Sequence, residues 1–153
     1  KELDFCQSYI ELRKRTTGLN PVYEVYCEEE TRACMVPVLC IQTFLENSCK
    51  YAKRPDPSEE LKIDVAVRFL DTEDQRLLDI TVRDNGPGYP ADVLEQLSQP
   101  PDQEPEEEGK QIGIDNLRRR CRILYGDRAE LFFYNEEGAV SEMLLPVKGG
   151  DGK

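Results

Sequence analysis

The sequence predicts an α+β fold, a two-layer α/β sandwich whose mixed, mostly antiparallel sheet is covered on one face by helices. Three observations lead there. Two pairs of strand-like runs, 61–69 with 77–82 and 129–134 with 139–147, are each joined by a short polar turn, which is the pattern of hairpins. Two longer segments, 37–52 and 112–125, carry apolar residues at helical spacing. The chain has 153 residues, 39% of them apolar, enough for one domain with a proper core.

The elements follow in order. Residues Cys6 to Lys14 have mixed helical spacing through Phe5, Tyr9, Ile10 and Leu12, and Gly18-Leu19-Asn20-Pro21 ends them. Val22 to Cys27 is rich in β-branched and aromatic residues and reads as a strand. Pro37 is expected to open a helix, a position that tolerates proline. That helix runs through Val38 to about Ala52, with Lys53 and Arg54 at its negative end and Pro55 and Pro57 beyond. Leu61 to Phe69 alternates, with Ile63, Val65 and Val67 on one face and Lys62, Asp64 and Arg68 on the other. A polar turn, Asp71 to Gln75, leads into the strand Leu77 to Val82. Ala91 to Leu97 reads as a short helix, and Ser98 to Lys110 as a long proline- and acid-rich loop without periodicity. Such loops are often functional lids or disordered segments. Ile112 to Tyr125 is a helix with Ile114, Leu117, Cys121 and Leu124 at apolar spacing and Gly126 as its C-cap. The closing hairpin turns at Glu136-Glu137-Gly138, and the tail 149–153 is expected to be mobile.

Composition excludes several classes of function. The net charge of −11 repels phosphate backbones and anionic membrane surfaces, so nucleic acid is not an expected partner. No apolar run is long enough to span a bilayer. No signal peptide is visible, and the start at Lys1 rather than methionine reads as a segment of a longer protein. The six cysteines include no Cys-x-x-Cys pair and there is no histidine. Buried free thiols in a reducing compartment are therefore expected, not a metal cluster.

Two segments carry candidate chemistry. On a helical wheel at ~100° per residue, Val38, Ile41, Leu45, Cys49 and Ala52 face the sheet. Thr43, Glu46, Asn47 and Lys50 share the opposite side, so an acid, an amide and an amine lie on one stripe. An ordinary solvated face with a Glu46–Lys50 pair would look the same. The second segment is Asp84-Asn85-Gly86-Pro87-Gly88-Tyr89-Pro90, which follows a strand. An ionised Asp84 can only accept hydrogen bonds, as from an adenine amino group. Gly86 and Gly88 allow close approach or positive φ, and Tyr89 and Pro90 would form apolar wall. Asn-Gly also marks plain hairpins, but the residues after Gly88 look helical. A third element, Gly109-Lys110-Gln111-Ile112-Gly113-Ile114-Asp115-Asn116, runs a glycine-containing loop into a helix N-terminus. Such ends attract phosphate, and Lys110 adds a cation, although a plain glycine-capped helix start with Asn116 facing solvent would look the same.

These three elements, in this order, resemble the ATP-binding domain of sensor histidine kinases, the LytS/YesM-like group in particular. That domain belongs to the superfamily shared with gyrase, the heat-shock chaperone ATPase and MutL, and has the Bergerat-type ATP-binding fold. The run Pro37-Val38-Leu39-Cys40-Ile41-Gln42-Thr43-Phe44-Leu45-Glu46-Asn47, the Asp84 turn, Ile112-Gly113-Ile114-Asp115-Asn116-Leu117 with Arg120, and Leu124-Tyr125-Gly126 carry the likeness. It extends from about Tyr9 to Val147.

The resemblance implies ATP and Mg2+ as ligands. Asn47 would ligate magnesium through its amide oxygen, and Glu46 would act as the candidate base. Lys50 would reach a phosphate, and Tyr51 would pack near the nucleotide. Asp84 would bind the adenine amino group over a floor shaped by Gly86 and Gly88. Gly113 and Lys110 would face the phosphates, Asn116 would support that end, and residues 91–111 would form the lid. Residues 1–17 would be a linker helix from an upstream dimerisation region, and 18–148 the catalytic domain.

Three departures stand out. Thr43 replaces the proline or second asparagine seen in such kinases, Gly109-Lys110-Gln111 lacks one glycine, and the lid holds Asp102, Glu104, Glu106, Glu107 and Glu108. A histidine kinase phosphorylates an imidazole. With no histidine here, the acceptor would lie upstream on a dimerising helix, and a response regulator would be the downstream partner. The domain would be cytoplasmic, in a parent anchored in the bacterial cell membrane. A non-catalytic, nucleotide-responsive regulatory module is the alternative, and a serine kinase of the anti-sigma type a lesser one.

Overall fold

A computed structural model describes residues 2–17, 22–37, 39–51, 61–98 and 112–147. The order is α1 (Glu2–Thr17), β1 (Val22–Cys27), α2 (Cys40–Tyr51), β2 (Lys62–Asp71), β3 (Arg76–Asp84), α3 (Ala91–Leu97), α4 (Ile112–Tyr125), β4 (Glu130–Asn135) and β5 (Ala139–Pro146). A 3-10 turn at Glu29–Ala33, with Thr31 buried, has no counterpart in the sequence pattern. The tail 149–153 and the loop 99–111 lie outside the described residues.

The five strands form one sheet in the order β1-β2-β3-β5-β4. Only β1–β2 is parallel; both expected hairpins and the β3–β5 pairing are antiparallel. The sheet is therefore mixed and mostly antiparallel, as the sequence predicts. Strand register puts Ile63, Val65, Val67, Ile80, Val82, Met143 and Leu145 on one face. There they join Ile41, Phe44 and Leu45 of α2 and Ile114, Leu117 and Cys121 of α4 in the core. Phe44 is fully buried and meets Phe133 edge-on, with centroids 5.8 Å apart. Cys6 and Ile10 of α1 are also fully buried. The segment read as a linker helix is thus packed against the domain core.

Helix α2 begins later than expected. Pro37 does not open it: the Cys40 N–H donates to the Pro37 carbonyl, and Leu39 takes a φ of 61°. The Glu2 carboxylate of α1 explains the start. It accepts from the N–H groups of Leu39, Ile41 and Gln42 at 3.0, 3.1 and 3.3 Å. A carboxylate at a helix N-terminus satisfies donors that have no partner inside the helix and complements the dipole. Thr43 also departs from the polar stripe. It is 8% exposed, and its hydroxyl donates to the Leu39 carbonyl at 2.8 Å. At α4, Gly126 has the positive φ (64°) expected of a C-cap.

All six cysteines are free, and four of them are buried. Burial pushes the Cys6 thiol up to about 12 and Cys121 up to about 11. Thiols held neutral in this way are poor nucleophiles.

The other face of the sheet carries a carboxyl pair. Asp79 is 1% exposed, accepts from Arg68 Nε at 3.1 Å and from Thr81 Oγ1 at 3.2 Å, and has Glu142 diagonally across on β5. Burial, followed by the Asp79 hydrogen bond and charge, raises Glu142 from 4.5 to about 7. An acid whose folded pKa is raised binds a proton more tightly in the folded state. Its contribution is therefore neutral below the unfolded pKa and becomes destabilising as pH rises from about 4.5 to about 7. Glu142→Gln is expected to raise the melting temperature at pH 8 relative to wild type and to flatten its fall between pH 5 and 8. Thermal melts across that range check this.

Candidate nucleotide site

Asp84 is the last residue of β3, at the end of a run of apolar inward residues. It pairs with Ile63, so its side chain lies on the helix-covered face. It is 7% exposed. Its Oδ1 accepts from the Gly86 N–H at 2.9 Å and from the Ala139 N–H at 3.2 Å. Two backbone donors on one carboxylate oxygen fix the orientation of the group. Asp84 thereby ties the loop that follows it to the first residue of β5.

The glycine loop is held from both flanks. On one side the Asn85 side chain accepts from the Lys62 N–H at 2.8 Å, and the Asn85 N–H donates to the Lys62 carbonyl at 3.2 Å. On the other, Asn135 of β4 clamps the Tyr89 backbone, accepting from its N–H at 2.8 Å and donating to its carbonyl at 3.0 Å. Gly88 has φ 87°, and a Cβ there would lie 2.8 Å from the Asn135 side chain. Of the two loop glycines, Gly88 alone has positive φ. At Gly86 the use is different: its N–H anchors Asp84. Gly138, in the β4–β5 turn, has φ 140°, and a Cβ there would meet the Asp84 carbonyl oxygen at 1.9 Å.

Helix α2 meets this loop through Tyr51. The Tyr51 ring meets Tyr89 with centroids 5.6 Å apart, and Tyr89 meets Phe133 at 6.2 Å. Burial pushes the Tyr89 hydroxyl up to about 12, against opposing hydrogen bonds from Ser141 and Asn47. The charge of Asp84 also bears on Tyr89 and on Cys49 of α2. Asn47, Tyr51, Tyr89 and Asp84 are therefore one cluster between α2 and the end of β3. Glu46 and Lys50 are exposed at its rim. The Glu46 carboxylate accepts from Gln42 Nε2 at 3.3 Å, and Lys50 Nζ lies 5.2 Å from the Tyr51 ring centroid.

Helix α4 closes against α2. A Cβ on Gly113 would sit 3.4 Å from the Thr43 methyl, so Gly113 marks the approach of the α4 N-terminus to α2. Asn116 is exposed. Lys110 lies outside the described residues. Arg118 donates to the Leu97 carbonyl and lies 5.6 Å from the Phe133 ring, linking α4 to α3 and β4. A separate cavity of about 360 Å³, lined by Arg118, Cys121, Arg122 and Leu131 among others, shares no residue with the Asp84–Asn47 cluster.

Three residues of the site escaped sequence reading: Asn135, Gly138 and Ser141. Gly138 was legible as a turn residue, but nothing local ties it to Asp84.

A purine site and a divalent cation fit these residues. Asp84 is a carboxylate fixed by backbone donors beside apolar rings. Asn47, whose Nδ2 is buried, carries a neutral amide oxygen of the kind a hard cation takes. Among the described residues, no group of three or more His, Cys, Asp or Glu could hold a metal. A cation here would accordingly rely on few protein ligands and on phosphate oxygens, the usual habit of magnesium.

A carboxylate at the end of a β-element, a glycine loop and an amide on the facing helix lie together in this α+β domain. The family model described as histidine kinase-, DNA gyrase B- and HSP90-like ATPase matches residues 37–149, and the chain belongs to that family. Among curated relatives, it is 23% identical to the sensor histidine kinase YesM of Bacillus subtilis, over 96% of this chain and 23% of that one. It is 29% identical to the sensor protein LytS of Staphylococcus haemolyticus, over 90% of this chain and 22% of that one. The chain thus spans about a quarter of the length of the curated relatives it matches. Among solved structures, the catalytic domain of the histidine kinase ThkA superposes with a TM-score of 0.65 at 16% identity, over 95% of this chain and 92% of that one. The histidine kinase domain of the Erythrobacter litoralis blue-light activated kinase gives 0.64 at 18% identity, over 95% and 59%. The fold is that of a histidine kinase ATPase domain. Among the described residues, no helix is long and apolar enough to cross a membrane.

Proposed function

We propose that this domain binds Mg-ATP at the Asp84–Asn47 cluster and that, within a longer sensor kinase, it delivers the γ-phosphoryl group to a histidine outside this chain. The observation that carries this reading is the convergence of Asp84 and Asn47 on Tyr89. The candidate purine acceptor and the candidate cation ligand belong to one cluster, although they stand 37 positions apart in the sequence.

In this reading Asp84 accepts from the exocyclic amino group of adenine, and Tyr51 and Tyr89 form the wall beside the ring. Asn47 presents Oδ1 to magnesium, which neutralises phosphate charge when bound. Lys50 reaches a phosphate oxygen as a point charge. Glu46, exposed at the rim, would accept the imidazole proton as the nitrogen attacks phosphorus. The β,γ-bridging bond then breaks and ADP leaves. Positioning and electrostatics supply most of the catalysis in phosphoryl transfer. The parent would be a membrane-anchored dimer, and a response regulator would take the phosphoryl group from the histidine.

The test has two stages. Calorimetric titration of the domain with ATP, with and without Mg2+, is expected to show one site whose affinity depends on the metal. A peptide or dimer bearing the upstream helix of the same protein is then supplied with the domain and labelled ATP, and phosphohistidine is expected on that helix. No nucleotide binding overturns the reading. Binding without transfer moves the domain to a regulatory role.

A further inference from the structure

Helix α2 starts behind a residue that cannot cap it. Leu39 directly precedes Cys40, the first helical residue. At that position Ser, Thr, Asp and Asn are favoured, because their side-chain oxygens accept from the second and third helical N–H groups. Leucine has no such oxygen. Those two donors, Ile41 and Gln42, go instead to Glu2 Oε1 at 3.1 and 3.3 Å. Glu2 Oε2 accepts from the Leu39 N–H at 3.0 Å, the bond that a glutamate at the third helical position makes in a capping box. One carboxylate from α1 thus fills both roles of a cap. Glu2, Cys6 and Ile10 follow each other at four-residue spacing on one face of α1, and Cys6 and Ile10 are fully buried. The apolar docking of α1 therefore brings the carboxylate to its place.

The backbone at Leu39 is held against its preference. Its φ of 61° lies in the left-handed region, which is strained for leucine. Local preference alone would open the helix three residues earlier, at Pro37. Two residues of the capped turn reach the candidate nucleotide site. The Gln42 side chain donates to Glu46 Oε1 at 3.3 Å. Thr43 donates to the Leu39 carbonyl through its N–H at 2.9 Å and through its hydroxyl at 2.8 Å. Its methyl group lies 3.4 Å from where a Cβ on Gly113 would sit. The first turn of α2 thus holds Glu46 through one side chain and receives the N-terminal turn of α4 on another.

We propose that Glu2 is a positioning residue: by capping α2 from α1 it fixes the turn that carries Gln42 and Thr43, and so sets Glu46 and the start of α4 for Mg-ATP. This rests on the Mg-ATP reading above and deepens it. With Glu2 withdrawn, the N–H groups of Leu39, Ile41 and Gln42 lose this acceptor, Leu39 can leave the left-handed region, and the turn rearranges. A cap of this kind shifts the helix equilibrium about fivefold. The apparent affinity of a ligand falls with the fraction of protein in the form that binds it.

The experiment compares wild type, Glu2→Ala, Glu2→Gln and the double variant Glu2→Ala with Leu39→Asp. It has two readouts, backbone amide exchange by NMR without ligand and calorimetric titration with Mg-ATP. In Glu2→Ala the amides of Ile41 and Gln42 should exchange about fivefold faster, and Mg-ATP affinity should fall about fivefold. Glu2→Gln keeps an oxygen for Ile41 and Gln42 but turns an NH2 towards the Leu39 N–H. It should fall between the two, and it serves as the test should Glu2→Ala melt early. The Leu39→Asp change supplies a cap from within α2. It should restore both protection and affinity, which a role of Glu2 in packing alone would not allow.

Unchanged exchange at Ile41 and Gln42 overturns the inference. Faster exchange with wild-type affinity also overturns it, since the cap would then serve the helix alone. A double variant as weak as Glu2→Ala does the same, because the loss would come from the packing of α1. In each of these cases wild type still binds Mg-ATP and the reading of the site stands. A wild type that binds no ATP overturns that reading and the inference with it.

Discussion

Replacing Gly138 with alanine is expected to damage fold and site together, although the residue lies in a turn far along the chain from the glycine loop. The added Cβ would stand 1.9 Å from the Asp84 carbonyl oxygen and 2.8 Å from its carbonyl carbon. These are backbone atoms, so no side chain can turn aside. The φ of 140° is itself outside the range that suits a side chain. Strained backbone and overpacking each cost of order 1–3 kcal/mol, so the loss is expected at roughly 3–5 kcal/mol. Relief requires the β4–β5 turn to move away from Asp84. That movement breaks the Ala139 N–H bond to Asp84 Oδ1 and frees the carboxylate to rotate. Urea denaturation measures the first effect, and nucleotide titration of the remaining folded protein measures the second. A variant of wild-type stability would show that the turn does not approach Asp84 as described. Gly126→Ala is the natural contrast: φ is positive there too, but no atom lies within 4 Å of the added carbon. Only the smaller cost of positive φ should appear.

Asp84→Asn is expected to separate binding from folding. The Oδ1 atom accepts from the Gly86 and Ala139 N–H groups, and an asparagine oxygen can accept both. The loop should therefore keep its shape, and the melting temperature should change little. The other position on the side chain changes from an acceptor to a donor. An adenine amino group would then face an NH2, with donor against donor, and the charge assistance would also be lost. Hydrogen bonds to charged groups contribute about 1.5–3 kcal/mol, so nucleotide affinity should fall roughly 100-fold. Circular dichroism and calorimetry on the same sample separate the two outcomes. A folded variant that binds ATP as wild type does would place the purine elsewhere.

Much of the architecture was legible because its signals are local. Alternation in β2 at Ile63, Val65 and Val67, and the helical spacing of Ile114, Leu117 and Cys121, each identify a buried face within a few residues. The candidate site was legible through the loop 84–90 and the α2 stripe for the same reason. The misread positions depend on contacts distant in sequence. The start of α2 is set by Glu2, nearly forty residues earlier, and no local rule reports a carboxylate arriving from another helix. Thr43 was placed on the polar stripe by angle alone, but α4 packs beside it and its hydroxyl turns back to the Leu39 carbonyl. Asn135, Gly138 and Ser141 reach the loop only because β5 pairs with β3. That pairing is a property of sheet order, which hairpin signals leave open.

A single NMR titration reports on the whole cluster. Adding Mg-ADP to the 15N-labelled domain should move the backbone amides of Gly86, Gly88, Tyr89 and Gly113 and the side-chain amide of Asn47. The amides of Arg68, Asp79 and Glu142 on the opposite face of the sheet should stay in place. If the shifts concentrate on that opposite face, or around the cavity at Arg122 and Leu131, the nucleotide is not held between β3 and α2.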